Sequence, residues 1–274
     1  MRIDAHQHFW RIAERAGAWP PPTLTAIHRD FGPQDLAPLL QAGAIDGTVL
    51  VQSMPSVAET RQLLAQARAT TFVRGVVGWV DMKAADAADT IAELARDPLL
   101  KGLRPMLQDL ADDAWILRAE VGRTLAALPR LGLRFDALVK PAQLPALLSM
   151  LERNPDLAVV IDHGAKPAIA QHMWEPWARQ MRAAADNPRV RCKLSGLVTE
   201  AGTGWTIDAL QRYVDFLAEV FGPQRLMWGS DWPVVNLTAT YQSWYAATIA
   251  LTSGWSADDR SALMGGTARR FYGL

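Results

Sequence analysis

A chain of 274 residues carrying 28 Lys and Arg against 28 Asp and Glu is electrically balanced. That balance speaks against nucleic acid and anionic membrane surfaces, which recruit partners through a basic excess. The single cysteine, Cys192, can form neither an internal disulfide nor a thiolate zinc cage, so the chain reads as a reduced, cytoplasmic type. Met1–His6 carries no apolar signal-peptide core, and no run of about 18 uncharged apolar residues follows, so secretion or membrane insertion is not expected.

Short β-branched or apolar runs alternate with longer amphipathic stretches, the pattern of repeated βα units. Strands are expected near Arg2–His8, Thr48–Ser53, Phe72–Val80, Gly102–Pro105, Leu133–Leu138, Ala158–His163, Val190–Ser195 and Arg225–Asp231. Pro55-Ser56 opens a helix running to about Thr70, Pro141 opens another to about Asn154, and Asn154-Pro155 and Asn187-Pro188 mark stops before the sixth and seventh strands. The stretch after Ser256 reads as a short extra helix pair. Eight units in one chain, about 34 residues each, predict a single-domain α/β fold over residues 1–274, a (β/α)8 TIM barrel. The connection at 9–33, with Trp19-Pro20-Pro21-Pro22 inside it, is long for a compact domain and is read as a lid.

In such a barrel the chemistry sits where strands end. The first expected strand ends in His6-Gln7-His8, whose spacing of two puts both imidazoles on one face. The sixth ends in Asp162-His163, where alternation with Val159 and Ile161 directs His163 inward, and the eighth ends in Gly229-Ser230-Asp231-Trp232-Pro233. His6, His8, His163 and Asp231 can therefore converge at one mouth. Arg104 and Lys193 alternate inward at the ends of strands four and seven, and Lys166 follows strand six; these are the candidate substrate-binding cations. The competing reading of Arg104 is a buried ion pair with Asp136, and of Lys193 a solvated rim charge. Asp109, Asp112 and Asp113 are read as loop and cap residues, His28 as a surface residue, and His172 as packing on a helix with Trp174 and Trp177. Cys192 should face the helices as a small filler. Of 11 tryptophans, Trp10, Trp79, Trp205 and Trp232 fall at the active face, where flat rings suit the C–H faces of a sugar; Trp10, Trp79 and Trp232 are taken as substrate contacts.

Asp4-Ala5-His6-Gln7-His8-Phe9-Trp10, Gly102-Leu103-Arg104-Pro105, Asp162-His163 with Lys166-Pro167, Cys192-Lys193-Leu194-Ser195-Gly196 and Trp228-Gly229-Ser230-Asp231-Trp232-Pro233 together resemble the amidohydrolase superfamily. Within it they resemble the sugar-lactonase branch, typified by L-fuconolactonase and L-rhamnonolactonase. The resemblance implies a hydrolase that opens an aldonolactone of carbohydrate catabolism to its aldonic acid. Its binuclear relatives carry a carboxylated lysine or a glutamate at strand four and histidines at strands five and six. Here Arg104, Asp136 and His163 stand there instead, which argues against a bridged two-metal centre.

What remains is one mononuclear site of His6, His8 and Asp231, with His163 as a fourth ligand or an outer partner, suited to zinc or manganese. Catalysis without a metal stays open within the branch. On either route Asp231 is central, as metal ligand or as the base that takes a proton from water and returns it to the departing ring oxygen. The partner is then a small sugar lactone, and a homo-oligomer is left open. Hydrolysis of an aromatic-pathway lactone of the pyrone dicarboxylate or muconolactone type ranks lower, because a dianion asks for several arginines and only Arg104 is evident. Metal-dependent decarboxylation of an aromatic acid ranks third, and a barrel that merely holds a sugar acid is the reading from another class.

Overall fold

The computed structural model describes residues 1–15 and 17–274; Ala16, within the 9–33 connection, lies outside the described residues. Eight strands follow one another in a single sheet: β1 Ile3–Gln7, β2 Gly47–Val51, β3 Val73–Gly78, β4 Leu100–Leu103, β5 Arg134–Ala137, β6 Val159–Ile161, β7 Val190–Leu194 and β8 Leu226–Trp228. Each pairs in parallel with the next, so spatial order equals chain order, as in a (β/α)8 barrel. Among the described residues the ring closes at its C-terminal end, where Asp231 N donates to His6 O at 2.8 Å and His8 N to Trp232 O at 2.7 Å. The fold is the TIM barrel that the period of the sequence predicts.

Eleven α-helices among the described residues surround or seal it: α1 Pro33–Gly43, α2 Val57–Arg68, α3 Ala87–Leu94, α4 Ala119–Leu125, α5 Leu144–Arg153, α6 Trp177–Ala185, α7 Leu197–Ala201, α8 Ile207–Phe221, α9 Tyr241–Leu251, α10 Ala257–Ser261 and α11 Thr267–Tyr272. Their starts are set by side-chain caps where the sequence supplies them. Ser56 accepts from Glu59 N to open α2, Thr206 from Ala209 N to open α8, and Thr240 from Ser243 N to open α9. None of the helices is long and apolar enough to cross a membrane.

Two sets of buried residues separate outside from inside. Leu50, Phe135, Ile161, Cys192, Leu194 and Trp228 pack outward in the large core beneath the helices. Ile3, Ala5, Val49, Val51, Val77, Val160 and Met227 form a second set with Ala268, Phe271 and Tyr272 of α11. Strands far apart around a ring can share one cluster only in its interior, so α11 seals the barrel at the end opposite the strand tips.

Several strands are shorter or shifted. The fourth begins at Leu100 rather than Gly102, leaving Arg104 just beyond its end, and the eighth stops at Trp228 rather than Asp231. The sixth stops at Ile161, and here the expected alternation fails. Val159 and Ile161 face the helices, so the inward direction belongs to Val160 and Asp162, not to His163.

Candidate active site

His163 reaches the barrel mouth by a different device. Residues His163, Gly164, Ala165 and Lys166 all have positive φ, at 54°, 57°, 59° and 49°. Three of the four are not glycine, and each such residue costs about 1–2 kcal/mol in this left-handed conformation. The buried indole of Trp177 donates to Gly164 O at 2.7 Å and Lys166 N to His163 O at 2.9 Å, which holds the turn. Gly196 supplies the space, because a Cβ there would sit 2.8 Å from His163 Nδ1.

The first strand also departs from regular alternation. Ile3 and Ala5 point into the barrel, and an irregularity in the pairing with β2 between Asp4 and Gln7 turns His6 and His8 to the same interior. Asp231, itself at φ 57°, completes the set from the loop after β8. Asp4 ties these segments together: its Oδ1 accepts from Ser230 N at 2.8 Å and from His6 N at 3.2 Å. Burial raises the Asp4 carboxyl to about 6 against those hydrogen bonds.

Four polar atoms then converge. His8 Nε2 lies 3.3 Å from Asp231 Oδ1, His6 Nε2 3.7 Å and His163 Nε2 3.9 Å, while the His6 and His8 Nε2 atoms are 3.2 Å apart. His6, His163 and Asp231 offer ligand atoms all within 4.8 Å of one another. Every Nδ1 is engaged outside the cluster, that of His8 by Val51 O at 2.7 Å, of His163 by Ser195 Oγ at 2.8 Å, and of His6 by Lys193 Nζ at 3.1 Å. Imidazoles fixed from behind, with their other nitrogens facing a carboxylate, fit a metal ion in the donor types they offer and in their outer support. His6 is wholly buried, whereas His8, His163 and Asp231 keep 3–4% of their surface open, so an incoming molecule meets these three first.

The electrostatics assign protonation. Burial, and then the Lys193 ammonium, hold His6 well below the ordinary imidazole range despite Asp162; burial does the same to His163 against the pull of Asp231. Burial would raise the Asp231 carboxyl, but His163, the hydrogen bond from His8 and the Lys166 charge outweigh it and lower it, leaving Asp231 as an ionised base.

Beneath the imidazoles runs a charged layer where barrels usually hold apolar side chains. Lys193 Nζ donates to Asp136 Oδ2 at 2.6 Å and pairs with Asp162 Oδ1 at 2.9 Å; Arg104 Nη1 reaches Asp162 Oδ2 at 3.4 Å. The Tyr272 hydroxyl, from the sealing helix, donates to Asp136 Oδ2 at 2.6 Å. Burial pushes Asp136 up, with Asp162 adding to the shift, while Lys193 and His6 overcome burial to hold Asp162 well down.

The sequence-derived candidates divide accordingly. His6, His8, His163 and Asp231 are brought together. Lys193 is corrected: it is fully buried and bound to carboxylates below His6, neither a solvated rim charge nor a group exposed to substrate. Arg104 is buried too, but its partners are Asp162 and Gln52 O rather than Asp136. Lys166 is partly buried and pairs with Glu200. Trp10 stands next to the site, its ring centroid 6.4 Å from that of His8. Trp232 is corrected from substrate platform to packing, 2% exposed and set edge-on against Phe9 and Phe31. Trp79 and Trp205 are half-buried, the first tied by its backbone to Thr60 and the second by its indole to Thr238 O.

His172 is exposed, in a turn before α6 rather than packed on a helix; His28 is half-buried, bound to Pro20 O. Cys192 faces the helices as expected, and burial raises its thiol. The 9–33 connection is pinned at its neck by paired Trp10 and Phe31 backbones and docked on α2 by Arg15, which bonds Glu59 and Ser53. A cavity of about 580 Å³ beside it, lined by Trp10, Arg15 and Glu59, touches none of the four converging groups. Asp162, Asp136, Ser195 and Tyr272 are the site-forming residues that strand-end reading leaves out.

A parallel eightfold barrel with three imidazoles and a carboxylate converging from the ends of its first, sixth and eighth strands defines a class of hydrolytic TIM-barrel enzymes. The chain belongs to the amidohydrolase family, whose model matches residues 3–274. It is 50% identical over 276 residues to an L-fucono-1,5-lactonase from Burkholderia ambifaria, covering 99% of this chain and 95% of the relative. A second L-fucono-1,5-lactonase, from Burkholderia multivorans, is 38% identical over 290 residues, covering 100% and 96%. A solved amidohydrolase from Burkholderia multivorans with bound zinc superposes with a TM-score of 0.94 at 38% identity, covering 100% of this chain and 99% of that one.

Proposed function

We propose that this protein hydrolyses a sugar lactone, with L-fucono-1,5-lactone as the first substrate to test, to the corresponding aldonic acid. The observation that carries the reading is Asp231, buried and ionised, with three imidazole nitrogens within 3.9 Å of its Oδ1. The lactonases at 50% and 38% identity support the substrate class.

Opening a lactone needs a hydroxide-like nucleophile and a stabilised oxyanion. Asp231 accepts a proton from the attacking water as its oxygen bonds to the carbonyl carbon. The tetrahedral species then collapses, the bond to the ring oxygen breaks, and Asp231 returns the proton to that oxygen. His8 and His163, on the open side of the cluster, carry the polar ring atoms nearest the carbonyl, and the Trp10 indole borders the same space. His6, His8, His163 and Asp231 would hold one divalent ion, zinc or manganese. Such an ion, when bound, acidifies water and polarises a carbonyl. Elemental analysis of the purified protein reads its identity.

Lys193 and Arg104 are consumed by Asp136 and Asp162, which leaves few cations for a dianionic pyrone and ranks that substrate below an uncharged sugar lactone. A barrel that only binds a sugar acid ranks lower still, since an ionised base and its imidazoles are all in place. The test is acid release from L-fucono-1,5-lactone followed at constant pH. Asp231→Asn is expected to lose roughly 10²–10⁴-fold in kcat, the usual share of a general base. A variant within tenfold of the parent, or no turnover across a panel of aldonolactones, overturns the reading.

A further inference from the structure

We infer that the N-terminal end of the barrel carries a second binding site, a basic hollow that takes a compact polyanion such as a diphosphate or a tricarboxylate. The strand pattern puts the cations there. Leu133 and Phe135, on either side of Arg134, and Val190 and Cys192, on either side of Arg191, pack outward beneath the helices, so the two arginines point to the interior side at the starts of β5 and β7. Ala158, just ahead of β6 between them, is small and leaves room. Arg189 joins from the turn before β7 and Arg270 from α11, and the four guanidiniums line a hollow of about 410 Å³ with Leu133 and Phe271 among its apolar walls. That volume lies in the range of small-molecule sites.

What holds these arginines does not neutralise them. Arg134 Nε donates to Phe271 O at 2.6 Å, Arg191 Nη1 to Pro188 O at 2.6 Å, and Arg270 Nη2 to Thr267 Oγ1 and Gln224 Oε1, both at 3.4 Å. Carbonyl, hydroxyl and amide oxygens orient a guanidinium and leave its charge in place. Asp156 is the one carboxylate lining the hollow among the described residues; it is exposed, and its Oδ1 lies 3.8 Å from Arg189 Nη2. The chain's buried cations near the strand tips are paired instead, Arg15 with Glu59, Arg104 with Asp162 and Lys193 with Asp136. Burial, followed by the charges of Arg225 and Arg270, lowers the Arg191 guanidinium from its usual value, as befits cations crowded without a counter-ion. In a chain of 28 basic and 28 acidic side chains, four arginines against one aspartate is a local concentration. Guanidinium forks match phosphate and carboxylate oxygens two at a time, and several around one hollow select a ligand with more than one anionic group. Such an occupant bridges β5, β7 and α11, the helix whose Tyr272 hydroxyl reaches Asp136.

The hollow lies at the end of the barrel opposite the imidazoles, so its test needs no lactone and its failure leaves the lactonase reading untouched. Pyrophosphate and citrate are titrated calorimetrically into the purified protein at low ionic strength. At least one of them is expected to saturate a single site per chain, more tightly than inorganic phosphate, and to raise the melting temperature by roughly 5 °C at a hundredfold excess over Kd. The tighter of the two tells a phosphorylated ligand from a carboxylate one. Arg189→Gln with Arg270→Gln is expected to weaken binding at least about tenfold, the share of hydrogen bonds to charged groups. Without ligand this variant should melt within about 2 °C of the parent, since the only ion pair lost is the long, exposed contact of Arg189 with Asp156. Arg61→Gln with Arg118→Gln removes the same charge from two exposed ion pairs outside the hollow and is expected to leave binding unchanged. Capture of a bound metal by either probe is common to both double variants and cancels between them. An equal loss of affinity in the two, or no saturable binding of either probe at millimolar concentrations, overturns the inference.

Discussion

Gly196→Ala isolates how tightly the site depends on its surroundings. The new Cβ would lie 2.8 Å from His163 Nδ1, 2.9 Å from Cγ and 3.1 Å from Cβ, so the ring must retreat by several tenths of an ångström. Its 2.8 Å hydrogen bond to Ser195 lies on the same side and is lost or bent. A misplacement approaching 1 Å in a catalytic group costs roughly 10²-fold in rate. Gly196 also has φ 66°, a conformation that costs alanine about 1–2 kcal/mol, or some 2–8 °C in melting temperature for a domain of this size.

Gly202→Ala separates the two effects. Gly202 has φ 79° but its Cβ would meet only the Ala170 Cβ, at 4.0 Å. Both variants should therefore melt lower, while only Gly196→Ala loses activity, by about 100-fold in kcat against L-fucono-1,5-lactone. Comparable activity in the two, measured at equal folded fraction, refutes the ring-displacement argument.

Acid should destabilise the metal-free protein well before its depressed carboxylates titrate. His6 and His163 resist protonation when folded, so the unfolded chain, protonating near 6.5, binds more protons as pH falls. Between pH 7.5 and 5.5 each ring removes on the order of 1 kcal/mol. Asp4 has its folded pKa raised to about 6, so its stabilisation grows as pH falls through that value and returns a little under 1 kcal/mol. Asp136, shifted the same way, adds to that return. A net loss should appear as a lower melting temperature at pH 5.5 than at 7.5; equal values contradict the buried-neutral assignment. In the 9–33 loop, Arg15→Leu leaves Glu59 buried without its cation, a loss of about 3 kcal/mol. The loop should then be cut by protease faster than in the parent, and equal cleavage rates would refute its docking by Arg15.

The barrel is legible in the sequence because its eightfold alternation of apolar runs and amphipathic stretches is long and regular. Arg104 and Lys193 are legible for the same reason, since simple alternation carries them inward, whereas Asp231 is legible only as the carboxylate that follows the last strand. His163 defeats that rule: its strand stops two residues early and a left-handed turn aims the ring, an arrangement stabilised by an indole from α6 that no local pattern announces. Lys193 defeats it differently. Its inward direction is correct, but whether an inward lysine meets solvent or a carboxylate depends on Asp136 and Asp162 from other strands. The tryptophan excess likewise has a tertiary explanation. Trp10, Trp177, Trp205 and Trp244 donate to Arg29 O, Gly164 O, Thr238 O and Gly229 O, so these rigid indoles satisfy carbonyls of the irregular segments that build the site.

The backbone bonds that close the ring, Asp231 N to His6 O and His8 N to Trp232 O, involve three of the four residues whose side chains converge. The two ends of this seam are separated by more than 200 positions, the His8 and Asp231 contact spanning 223. A chain emerging from the ribosome therefore presents its paired histidines long before Asp231 and has no assembled His–Asp cluster until the last strand docks. Half-barrel fragments, however well packed, lack it as well. Recovery of activity during refolding is consequently a clock for circularisation of the sheet, and an optical probe of helix formation should run ahead of it.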